Sequence, residues 1–90
     1  MRTLLDKANL THMYVGMDLA SAPLHTSLTL LELAAPEDSR QRLASLGLRV
    51  GTRFSLLQKT AGGGRVVLVG GSRIALGSAL LRQLRAEVAR

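Results

Sequence analysis

The sequence predicts one mainly β domain, a small barrel of about five strands with a short helix inserted after the first strand. Several short runs alternate apolar and polar residues, the period of a half-buried strand. Glycines and prolines separate these runs at close spacing, with one short helix and one helical turn between them. At 90 residues the chain has room for a single compact core.

The first strand spans residues 26–33, where Leu28 and Leu30 alternate with Ser27 and Thr29, and Leu31 and Leu33 make the second half apolar on both faces. Pro36 ends it, because proline cannot donate to a ladder. Glu37, Asp38 and Ser39 follow, acidic and capping residues that suit a helix N-terminus. A helix over 39–46 puts Leu43 and Leu46 on one face, and Gly47 supplies its left-handed end. Residues 52–59 return to strand, with Phe54 and Leu56 on one face and Arg53, Ser55 and Leu57 on the other. Gly62-Gly63-Gly64 connects to a strand over 65–69, and Gly70-Gly71 is a hairpin signal before a strand over 72–76. Gly77-Ser78 opens a helical turn holding Leu81 and Leu84, and 85–89 closes the chain with Ala86 and Val88 alternating with charges. The expected core is Leu30, Leu43, Leu46, Phe54, Val67, Val69, Ile74, Leu76, Leu84 and Val88. Residues 1–16 have no clear period and read as a poorly ordered extension, leaving 17–90 as the domain.

Composition removes several classes of function. Without cysteine the chain has neither disulfides nor a thiolate metal site, in keeping with a reducing compartment. No stretch reaches the roughly 20 apolar residues of a membrane span; the uncharged run 19–31 is broken by Ser, Thr, His and Pro. The opening residues 1–5 resemble a signal peptide, but Asp6, Lys7 and Asn9 interrupt them before an apolar stretch develops. His12 and His25 have no ligand spacing with Asp6, Asp18, Glu32, Glu37, Asp38 or Glu87, so no metal site is expected. Gly62-Gly63-Gly64-Arg65 leads into a strand, where a phosphate loop would need a helix N-terminus. Ser72 follows two glycines but has no visible base, and no carboxylate pair is placed for acid–base work, so neither enzyme activity nor a cofactor is expected. The net charge of +6 favours acidic partners. Nucleic acid is the rival partner, yet Phe54 belongs to the core and Tyr14 to the extension, which leaves no aromatic platform for bases.

The run 42–54, Arg-Leu-Ala-Ser-Leu-Gly-Leu-Arg-Val-Gly-Thr-Arg-Phe, resembles the signature of the ferrous-iron transport protein A (FeoA) family. The segment 67–76, Val-Leu-Val-Gly-Gly-Ser-Arg-Ile-Ala-Leu, is similar to a second piece of the same family at the matching spacing. The resemblance implies an SH3-like barrel with a helical insertion after its first strand. It also implies a cytoplasmic, non-enzymatic accessory of ferrous-iron uptake that binds the membrane GTPase transporter, ferrous-iron transport protein B (FeoB), and meets the membrane only through it. Related domains form the C-terminal part of iron-dependent repressors, so a regulatory or nucleic-acid-binding barrel is the alternative. Self-association is left open. For docking, two faces offer apolar anchors rimmed by arginine. One is the helix and its exit, with Arg42, Arg49 and an exposed side of Leu48. The other is the closing turn, where Leu80, Leu81 and Leu84 are rimmed by Arg82 and Arg85.

Overall fold

The computed structural model describes residues 16–89. In chain order the elements are β1 (Met17–Asp18), β2 (Leu28–Leu33), α1 (Glu37–Ser45), β3 (Arg53–Lys59), a 3₁₀ turn (Ala61–Gly63), β4 (Arg65–Val69), β5 (Ser72–Leu76), α2 (Ser78–Leu81) and β6 (Leu84–Val88). The strands form one antiparallel sheet in the order β1-β6-β2-β3-β4-β5. It curls into an SH3-like barrel that stays open between β5 and β1. The described residues form six strands where about five were expected. The additional one, β1, is two residues long, too short to carry a period.

Curvature has two identifiable sources. The register between β2 and β6 shifts between Leu30 and Glu32, and that between β3 and β4 shifts between Leu56 and Gln58. A bulged strand bends and twists more strongly, which lets a short sheet wrap around its own core. At Gly70-Gly71 both residues have positive φ, 55° and 83°, as the tight turn joining β4 to β5 requires.

Alternation fills the barrel as the period demands: Leu28 and Leu30 from β2, Phe54 and Leu56 from β3, Val67 and Val69 from β4, Leu84 and Ala86 from β6. Leu43 of α1, Leu81 of α2 and Leu76 of β5 are buried in the same core. Leu19 also lies inside, where its N–H reaches the carbonyls of Leu81 and Leu84 at 3.1 and 3.2 Å. Arg65 is buried as well, and its Nη1 donates to the carbonyl of Ala22 in the β1–β2 connection.

Three expected core residues sit differently. Leu46 is 44% exposed and Val88 51%, while Ile74 is only half-buried. Val88 ends β6 beyond the reach of β1, which pairs only with Arg85 and Ala86, so among the described residues β2 alone flanks it. Ile74 lies on β5, at the margin of the sheet.

Leu46 and Leu48 exchange the places expected of them, and the end of α1 explains why. The helix runs Glu37–Ser45 rather than 39–46, with Leu46 as its C-cap. Gly47 turns left-handed at φ 101°. The Gly47 N–H then donates to Ala44 and the Leu48 N–H to Leu43, at 3.0 and 2.9 Å. These are the paired bonds of a Schellman motif, which folds the residue after the glycine back onto the last buried turn. Leu48 therefore packs beneath Leu43 at zero exposure, and Leu46 is turned outward.

Candidate docking surface

Helix α1 separates the predicted binding residues between two flanks. At helical spacing Ser39, Arg42, Leu43 and Leu46 face β5, whereas Glu37, Arg40 and Ala44 face the other way. Between α1 and β5 runs a groove of about 240 Å³. Arg42, Leu43 and Leu46 line one wall, and Ile74, Leu76 and Leu80 line the other. The opposite flank has a shallower hollow of about 300 Å³ between Leu33, Arg40, Arg49 and Val50.

Arg42 and Leu80, predicted on competing faces, thus meet in one groove. Leu80 is half-buried and packs against the core from α2, leaving its remaining surface to the groove. Arg49 lies on the other flank, where its Nε donates to the Ala44 carbonyl at 3.3 Å. A cation there satisfies a terminal carbonyl and complements the negative end of the helix. Leu48 offers no exposed side: it is wholly interior. Of the closing-turn stripe only Leu80 reaches the surface, since Leu81 and Leu84 are buried.

Leu46 and Ile74 contribute apolar surface that sequence reasoning assigned to the interior. The signal for Leu46 was present in the order Leu43…Leu46-Gly47-Leu48, which fits a Schellman end with Leu48, not Leu46, directed inward.

A third concavity, about 540 Å³, lies on the outer face of the sheet between His25, Leu57, Gln58, Val66, Arg73 and Ala75. Among the described residues no three of His, Asp and Glu are placed to hold a metal ion together. Phe54 is buried, so the described residues present no aromatic face to a nucleobase, and Tyr14 lies outside them.

Several solved structures share this architecture. The FeoA of Stenotrophomonas maltophilia, an SH3-domain protein solved with zinc, is 28% identical with a TM-score of 0.62, covering 80% of this chain and 91% of that one. The FeoA protein of Chlorobium tepidum is 20% identical with a TM-score of 0.75, covering 82% and 71%. ScaR, solved with bound zinc, is 22% identical with a TM-score of 0.71; the match covers 81% of this chain but only 37% of ScaR. No curated protein matches the chain. The FeoA domain family model matches residues 17–88, from the first described strand to the end of the last. The chain belongs to the FeoA domain family, small domains associated with ferrous-iron transport.

Proposed function

We propose that the protein is a cytoplasmic accessory of bacterial ferrous-iron uptake that docks on the cytoplasmic GTPase region of a FeoB-type transporter. The α1–β5 groove carries this reading: apolar Leu46, Ile74 and Leu80 stand partly open to solvent with the Arg42 guanidinium beside them. Partly exposed anchors next to an arginine are what a protein interface uses. Family membership supplies the context, since the S. maltophilia relative is described as a candidate activating factor for ferrous-iron transport. No helix among the described residues is long and apolar enough to cross a membrane. FeoA is not a known enzyme family.

Calorimetric titration of the transporter's cytoplasmic domain tests this. The parent protein binds, and Arg42→Glu and Leu80→Asp each weaken binding about tenfold or more, equivalent to about 1.4 kcal/mol. Arg49→Glu, on the opposite flank, binds like the parent. No binding by the parent, or parent-like binding by both groove variants, overturns the proposal.

A further inference from the structure

Strand β5 lies at one margin of the sheet, and among the described residues its backbone has a free side. The two-residue Gly70-Gly71 turn makes Val69 and Ser72 a hydrogen-bonded pair, and parity then assigns the rest of the ladder. Ser72, Ile74 and Leu76 direct their N–H and C=O groups to β4. Arg73 and Ala75 direct theirs away, and no described residue meets them. Proteins commonly blunt such an edge with a proline, a bulge or a covering element. Here β5 contains no proline and its register with β4 is unbroken. What lies beside it is the apolar groove, with Leu46 of α1 and Leu80 of α2 next to Ile74.

A row of unpaired main-chain groups next to pockets for alternate side chains is the arrangement for strand addition, in which the backbone bonds give affinity and the pockets give specificity. We infer that the groove takes an extended acidic segment of a partner protein, bound as a further strand on the free edge of β5. Alternate side chains of that segment enter between Leu46, Ile74 and Leu80. The others stand on the outer face beside Arg73. Charge selects the occupant: the chain carries +6, and Arg42 and Arg73 lie on either side of the edge with no ion-pair partner among the described residues. A second copy placed edge to edge would join two +6 chains and bring both Arg73 side chains onto one sheet, which like-charge repulsion disfavours. The docking function proposed above enters only as the identity of the partner.

The test uses the full chain, ¹⁵N-labelled at low salt, and an acetylated, amidated octapeptide of alternating Glu and Ile as probe. Expected are chemical-shift changes at the amides of Arg73, Ala75, Leu46 and Leu80, and hydrogen exchange at Arg73 and Ala75 slowed about tenfold or more. The same peptide N-methylated at alternate residues keeps its side chains but loses the donors, and does not bind. Ala75→Pro removes an outward N–H without breaking a β4–β5 bond, so it keeps its Tm and loses the peptide. Binding that survives N-methylation, or no change at Arg73 and Ala75, overturns the inference. So does a concentration-dependent dimer that protects these amides without peptide. Transporter-domain binding unaffected by Ala75→Pro also overturns it while leaving the docking function standing. A parent that binds the peptide but not the transporter domain overturns only the docking function.

Discussion

Leu48→Ala should destabilise the domain severely, and Leu46→Ala, two residues earlier, should barely affect it. Leu48 has no exposed surface and Leu46 is 44% exposed. Truncating a fully buried leucine costs about 2–5 kcal/mol, combining lost transfer energy with the cavity left behind. At about 0.05–0.15 kcal/mol per residue a chain of 90 residues has roughly 5–13 kcal/mol in all. A loss near 3 kcal/mol lowers Tm by about 12–24 °C in a domain this size. The half-open Leu46 should lose under about 1 kcal/mol, a shift below about 8 °C. Thermal melts followed by circular dichroism, with urea titrations to check that the m-value is unchanged, measure both. Equal shifts for the two variants, or a larger one for Leu46→Ala, would refute the Schellman packing that places Leu48 inside.

Gly64→Ala should destabilise, because a Cβ there would lie 2.5 Å from Thr60 Oγ1 and 2.8 Å from the Leu76 carbonyl oxygen. Overpacking against backbone costs about 1–3 kcal/mol, read as a lower urea midpoint; an unchanged midpoint refutes it. Arg65→Met keeps most of the buried stem but leaves the Ala22 carbonyl without its donor, so it should cost about 1–3 kcal/mol in the same assay. A neutral or stabilising result would mean that the cost of burying the guanidinium outweighs its bond. Raising salt should weaken transporter-domain binding by the parent more than by Arg42→Glu, since screening acts on the charge that the variant lacks; identical salt slopes refute a role for Arg42.

Most of the fold is legible in the chain because each element is locally consistent. The strands β4 and β5 fall where alternation and Gly70-Gly71 put them, and β3 differs from its expected span only at its first residue. Reading failed where tertiary neighbours decide. The alternation of Ala86 and Val88 with charges put Val88 in the expected core and left Ala86 out of it, whereas Ala86 is the buried one, and no period records that β1 stops short of Val88. Leu19 sits in a connection without any period, and joins the interior where the carbonyls of Leu81 and Leu84, far along the chain, hold its N–H. The proposed docking groove was legible as residue types and not as geometry. Arg42 and Leu80 are far apart in sequence, and the groove that joins them exists only because α1 and α2 both border β5.

The position of β6 has a consequence for how the protein can be made. The last described strand is interior to the sheet, with β1 on one side and β2 on the other. During synthesis β2, α1 and the β3–β4–β5 meander emerge in order, yet β2 lacks one neighbour and β1 the one it has among the described residues until residues 84–88 leave the ribosome. Leu84 and Ala86, both fully buried, arrive with that strand, so the interior cannot close before it does. Pairing Leu28 with Val88 also spans nearly the whole described chain, a high-contact-order step of the kind that slows folding. A nascent chain paused before Leu84 would therefore display apolar strand surface on β2 that chaperones bind and that aggregates.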